Sequence, residues 1–209
     1  MNYTENKLSD LRKRVSLRMS EKRFSHTLGV ERCAALLGKL ILPDFVSELQ
    51  AAAILHDVAK EMPLSEQISL LKAEKFPLTD EDTVTVGVIH SFTAPIVIKR
   101  DFSDFATQNI LSATEKHTVG SSDMTLFDMI IFVSDYIEDT RVFESCVRVR
   151  EALLTDIEND SYEKRIVRLK NACIMAIDGA ENALLRQGLP INSRMNKTRN
   201  FLLKNNFQN

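Results

Sequence analysis

The run Ala52-Ala-Ile-Leu-His-Asp-Val-Ala-Lys60 constrains the fold more than any other stretch, because it embeds an imidazole and a carboxylate in apolar sequence. A carboxylate in such a run is costly to bury alone, so partners must reach it from elsewhere in the chain. Read as one helix over 45–60, the run sets His56 and Asp57 about 100° apart, and an ion can sit at the edge between them. Its Ala51-Ala-Ala53 triplet lets a neighbouring helix come close. The chain has only four histidines, His26, His56, His90 and His117, and each falls in its own predicted helix or helix end. Asp135 follows inside another apolar run, 126–137. Imidazoles and carboxylates distributed over successive helices point to a metal centre inside a helical bundle.

A length of 209 residues with 44% hydrophobic content is enough for a sizeable core. A single domain over 1–209 is expected, with a core at about 18–155 and C-terminal helices over 159–205. The net charge of −2 gives no general attraction to nucleic acid. Cys33, Cys146 and Cys173 are odd in number, widely spaced and without a Cys-x-x-Cys pair, which reads as reduced core thiols. The amino terminus is polar, and no stretch approaches the roughly 20 apolar residues of a membrane span. The expected location is the cytoplasm.

In chain order, Leu8, Leu11, Val15 and Met19 space out an amphipathic helix over 5–19. Ser20 reads as an N-cap with Arg23 where a capping box would place an acid, and the helix behind it runs to about Ile41. Pro43 and Asp44 open the 45–60 helix, and Pro63 opens another over 64–74. Residues 76–84 read as a polar surface loop, and 84–88 is ambiguous. Pro95 predicts that the helix bearing His90 begins late, around Ala94, and reaches about Arg100. Asp104 reads as the cap of a helix over 105–116, stopped by Gly120. The segment 125–138 is apolar nearly all round, the pattern of a central buried helix. Helices over 143–155 and 161–187 follow, then a basic tail over 192–204. No segment alternates with period two, so the fold class is all-α.

Four blocks together carry a family likeness: Phe24-Ser-His-Thr-Leu-Gly-Val30, Leu55-His-Asp-Val-Ala-Lys-Glu61, Lys116-His-Thr-Val-Gly120 and Val133-Ser-Asp-Tyr-Ile-Glu138. His26, His56-Asp57 and Asp135 resemble the H…HD…D pattern of HD-domain metal-dependent phosphohydrolases. The blocks are more closely similar to the YqeK family, bacterial symmetrical diadenosine tetraphosphate hydrolases, over roughly 18–203. The chain departs from that pattern at Ser91 and Phe92, at Asp139 and at Leu189. The resemblance implies an HD-domain helical bundle and a two-metal site, commonly iron, with Mn, Co, Mg or Zn as alternatives. It makes His90 and His117 the ligands that complete the second site. It also implies diadenosine tetraphosphate as substrate, two ADP as products, and a homodimer.

Neutral imidazoles and carboxylates suit a borderline divalent ion, and one carboxylate can bridge two. Asp57 is the candidate bridge and, through water activated at the metals, a catalytic residue. Lys60, the second candidate catalytic residue, lies three residues after Asp57 and four after His56, within reach of a phosphate oxygen, although a solvated helix-end lysine is as good a reading. Arg23, Thr27, Thr118 and Arg141 adjoin ligand positions and are candidate polyphosphate contacts or ordinary polar surface. The alternatives are an HD phosphohydrolase for another nucleotide, or a non-catalytic helical metal-containing binding protein.

Overall fold

The computed structural model describes residues 2–85 and 87–205. These form α1 (Glu5–Ser16), α2 (Glu21–Ile41), α3 (Val46–Leu55), α4 (Leu64–Ala73), α5 (Asp80–Val84), α6 (Ile89–Asp101), α7 (Gln108–Lys116), α8 (Leu126–Ile137), α9 (Glu144–Leu154), α10 (Tyr162–Arg186) and α11 (Ser193–Lys204). Short 3-10 turns join some of them, and no strand occurs among the described residues, so the fold is all-α. No helix of these residues is long and apolar enough to cross a membrane.

α8 is the centre, packed by α2, α3, α7 and α10. Residues from Phe127 to Ser134 are all buried, as an all-round apolar helix must be. Each fully buried Leu or Ile in such a face contributes about 1.5–3 kcal/mol of transfer free energy. A capping box between Thr125 and Asp128 starts α8, and Lys116 Nζ reaches Asp128 Oδ2 at 3.2 Å to tie the end of α7 to it. Ser20 caps α2 by accepting from the Arg23 N–H at 3.3 Å. The acid missing from position 23 is replaced across the chain by Glu61, which accepts from the Ser20 N–H at 2.6 Å and from its hydroxyl at 2.7 Å.

Several expectations are corrected. The helix over 45–60 ends at Leu55, and the chain continues in tight turns with i→i−3 bonds from Val58, Lys60 and Met62. The His56 ring bonds the Ala53 carbonyl at 2.6 Å, competing for the acceptor that a continuing helix would offer to the Asp57 N–H. The expected loop over 76–84 contains α5, nucleated by a capping box between Thr79 and Asp82. α6 begins at Ile89 rather than Ala94, with Pro95 inside it. Its first turn is held instead by Ser91 Oγ donating to Val88 O and Thr93 Oγ1 to Ile89 O. α7 is capped by Thr107, not Asp104, which lies in a 3-10 turn and pairs with Lys7 and Arg14. The basic tail is α11, seated through Met195, Thr198 and Leu202.

Asp82 anchors α11. It accepts from Arg194 through both carboxylate oxygens, at 3.1 and 3.0 Å, and from the buried Asn192 amide at 3.0 Å. Burial pushes its pKa up, but Arg194, Asn192 and Thr79 outweigh burial and hold it below the usual carboxylate range. Asp82→Ala removes the α5 cap and leaves the Asn192 donor without this acceptor, an expected loss of about 1–3 kcal/mol in urea denaturation. A depressed folded-state pKa means that this stability is present above the unfolded value and disappears as pH falls, so the difference from wild type shrinks below about pH 4. A pH-independent difference, or one within about 0.5 kcal/mol at pH 7, contradicts the anchor.

Candidate metal centre

Five elements deliver one side chain or pair each. His26 comes from the second turn of α2, His56 and Asp57 from the end of α3 and the turn beyond it, and His90 from the start of α6. His117 caps the C-terminus of α7, and Asp135 lies near the end of α8. All are buried except Asp135, which is partly exposed. Three sets of potential ligand atoms lie within 4.8 Å of one another: His26, His56 and Asp57; His56, His117 and Asp135; and Asp57, His90 and His117.

The two oxygens of Asp57 face different histidines. Oδ2 lies 3.3 Å from His56 Nε2 and 3.8 Å from His26 Nε2. Oδ1 lies 3.0 Å from His90 Nε2 and 3.5 Å from His117 Nε2. Asp135 Oδ1 sits on the first side, 3.0 Å from His26 Nε2 and 3.9 Å from His56 Nε2. This is the disposition of a carboxylate shared between two neighbouring binding points.

The outer ring nitrogens are fixed by acceptors. His56 Nδ1 bonds the Ala53 carbonyl at 2.6 Å, and His117 Nδ1 bonds the Thr114 carbonyl at 2.7 Å. A carbonyl only accepts, so each Nδ1 carries the proton and each Nε2 presents a lone pair inward. His26 Nδ1 is 3.1 Å from the buried Glu138 carboxylate, which imposes the same tautomer. His26 Nε2 and His56 Nε2 are buried without a hydrogen-bond partner. Orphaned acceptors aimed at carboxylates are what a bound cation would satisfy, and the N/O donor set fits a borderline divalent metal. Burial holds the His90 pKa down to about 4 even beside Asp57, so this ring is neutral near pH 7 as ligation requires. Burial pushes the Asp57 carboxyl up, but His56, His117 and His90 prevail and keep it ionised well below its ordinary range.

The HD-domain family profile matches residues 23–140, which contain all of these groups. The chain belongs to the HD-domain family, in its YqeK-type branch. It is 32% identical over 145 residues to the symmetrical bis(5'-nucleosyl)-tetraphosphatase of Bacillus subtilis, covering 68% of this chain and 75% of that protein. The like-named protein of Halalkalibacterium halodurans is 31% identical over the same shares. A crystal structure of an HD-superfamily hydrolase from Clostridium acetobutylicum, described as involved in NAD metabolism, superposes with a TM-score of 0.79 at 26% identity, over 97% of this chain and 98% of that one.

The remaining candidates of this HD-domain chain divide. Arg23 Nη1 reaches Asp57 Oδ2 at 2.9 Å, and Arg141 Nη2 reaches Asp135 Oδ1 at 3.0 Å. Lys60 Nζ lies 3.3 Å from His90 Nε2 in a half-buried position, and desolvation lowers its pKa. Thr27 is fully buried with its hydroxyl directed to Met19 Sδ at 3.5 Å, an arrangement that gives it no polyphosphate contact; Thr118 is half-buried beside His117. The departure at Phe92 fills the core, where its ring stacks on Phe76 at 4.9 Å.

Sequence reasoning assigned no role to Glu138, although it lies three residues beyond Asp135 in a quoted block. Its buried carboxylate holds His26 and accepts from the Thr140 N–H at 2.8 Å and hydroxyl at 2.6 Å. Gly29 makes room for it, since a Cβ there would overlap Glu138 Oε2. Groups that orient a metal-binding histidine are worth about 10–100-fold in metal affinity. Glu138→Ala is therefore expected to weaken binding of Mn2+ or Fe2+ by that factor in a metal titration, with Gly29→Ala acting in the same direction. Unchanged affinity in Glu138→Ala would remove the orienting role.

Proposed function

We propose that this HD-domain hydrolase cleaves diadenosine tetraphosphate symmetrically to two ADP, with two divalent ions held between His26, His56, Asp57, His90, His117 and Asp135. The observation that carries the reading is the division of the Asp57 oxygens between two histidine sets, one containing His26 and His56 and the other His90 and His117. The names of the Bacillus and Halalkalibacterium relatives supply the substrate. Iron is our choice of ion, the whole chain, 1–209, acts as one HD-type unit, and a cytoplasmic homodimer is the expected form.

Bound there, the ions would supply Lewis-acid polarisation of a phosphoryl oxygen and acidify a water. The chain's own residues do the rest. Asp57 receives the Arg23 guanidinium at 2.9 Å on Oδ2, and its two oxygens face the imidazoles that would hold the ions with it. The carbonyls of Ala53 and Thr114 and the carboxylate of Glu138 hold three imidazoles in the tautomer that faces inward. Arg23 and Arg141 line a cleft of about 370 Å³ that opens on His26, and place guanidinium groups where polyphosphate oxygens would lie. Lys60, beside His90 on the other side of Asp57, adds a further cation. Attack of water on one central phosphorus breaks its bond to the bridging oxygen, so one ADP departs as an anion and the other carries the oxygen of the water.

Chromatography of the products tests the bond cleaved: ADP alone is expected, and AMP with ATP rejects symmetrical cleavage. The Clostridium neighbour's description favours a second reading, hydrolysis of another nucleotide, and faster turnover of such a substrate in a nucleotide panel would select it. Asp57→Asn preserves volume but removes the bridging charge. It is expected to lower the hydrolysis rate by on the order of 10³-fold or more and to reduce bound metal, with the helical circular dichroism unchanged. A folded Asp57→Asn protein with full metal and wild-type rate sinks the proposal.

A further inference from the structure

The segment that carries Arg141 and Phe143 separates two clefts, and both reach the candidate metal centre. The first, about 370 Å³, has His26 in its wall. The second, about 480 Å³, lies between the end of α8, the start of α9 and the last turns of α10, and has Asp135 in its wall. Because His26 Nε2 and Asp135 Oδ1 are 3.0 Å apart, the two clefts, which share Arg141 and Phe143 in their walls, converge on one point. Each is large enough for a small ligand.

The lining of the second cleft is chemically specific. Phe143 is 69% exposed on the divide between the clefts, a large aromatic held in solvent where it could have been buried. Tyr136 forms part of the wall, its hydroxyl fitted against Gly179, where a Cβ would collide with it. Arg148 and Arg186 also line the cleft, and neither makes an ion pair or side-chain hydrogen bond among the described residues. They differ in this from Arg23 and Arg141, whose guanidinium groups are engaged by carboxylates. Unpaired arginines beside exposed and half-exposed rings form a surface for an anion joined to a planar base.

We infer that this second cleft binds a nucleoside diphosphate, with Phe143 against the base and Arg148 and Arg186 on the phosphates. The inference rests on the proposed dinucleotide reaction. A substrate cut at its midpoint carries one nucleoside diphosphate unit on each side of the bridging oxygen that is cleaved, and two clefts that meet at the centre offer one place for each. Base stacking on an exposed ring and charge-assisted bonds from arginine are both tolerant of which base is present, so the cleft selects the diphosphate unit more than adenine.

Equilibrium dialysis of the full chain with ADP, after loading with Mn2+, tests the assignment without requiring turnover. Wild type is expected to bind two ADP per chain, and the double variant Arg148→Glu, Arg186→Glu to bind one. Both positions are exposed, so the variant should melt within a few degrees of wild type. Its KM for diadenosine tetraphosphate should rise by about tenfold or more, with kcat changed less than about threefold. Binding of one ADP or none by wild type, or of two by the variant, overturns the second site. Failure of the reaction itself is read separately: a wild type that binds two ADP but leaves the dinucleotide intact refutes the proposed chemistry and retains the cleft.

Discussion

The burial of Asp57 is the constraint on which the rest depends. A carboxylate only 3% exposed cannot stay ionised without compensation, and the groups that meet it are the Arg23 guanidinium and the rings of His56, His90 and His117, which would hold cations against it; they are carried by α2, α3, α6 and α7. Four helices must therefore converge at one point, which fixes their mutual placement more sharply than apolar packing alone. The apolar faces of α2, α3, α7 and α8 determine that these helices pack together; the charge at residue 57 determines the register in which they do so. The same requirement explains why the site is built from residues far apart in the chain, with His26 and Asp135 meeting at 3.0 Å.

Helix termini do much of this placement. His56 and His117 both stand at the C-cap of a helix, and each ring bonds the carbonyl three residues earlier. Those carbonyls are acceptors left open when a helix ends, so one bond satisfies the backbone and orients the ring. A histidine in the middle of a helix has no such carbonyl to hold its Nδ1. Stopping α3 at Leu55 thus serves the site, because a helix continued to Lys60 would compete for the Ala53 oxygen that sets the His56 tautomer.

The sequence made the all-α class, the buried α8 and the convergence of the histidines and aspartates legible, because each rests on a strong local signal: the absence of period-two alternation, an all-round apolar run, and ionisable groups within apolar helices. What it concealed depends on contacts between distant segments. The missing acid of the α2 capping box is Glu61, 41 residues away from Ser20, and no pattern around residue 20 could reveal it. The end of α3 has no signal in the residues that follow it, because helix propensity continues past Leu55 while a side-chain bond from His56 ends the helix. The opposite error occurred at Thr79, where the capping pair with Asp82 was present in the sequence but the acidic composition read as a loop. Pro95 was given too much weight, since hydroxyls from Ser91 and Thr93 hold the turn ahead of it. The role of Glu138 has no local signature, because it lies in the contact with His26, 112 residues away, and in the space left by Gly29 on the same distant helix.

Clustering ionisable groups at helix ends threatens the fold unless those ends are tied down, and polar ties occur close to the ligands. Lys116, adjacent to His117, bonds Asp128 at the start of α8. Glu61, adjacent to Lys60, bonds Ser20 at the start of the helix that carries Arg23 and His26. Thr140, two residues after Glu138, donates back to it through both backbone and side chain. The first two ties each join two segments that contribute to the site, so loosening either shifts more than one side chain at once, and the third fixes the carboxylate that orients His26. The centre should then lose affinity for its ligands through displaced geometry before the apolar core around α8 loses its packing, because the ties lie at helix ends whereas the core lies along the helix faces.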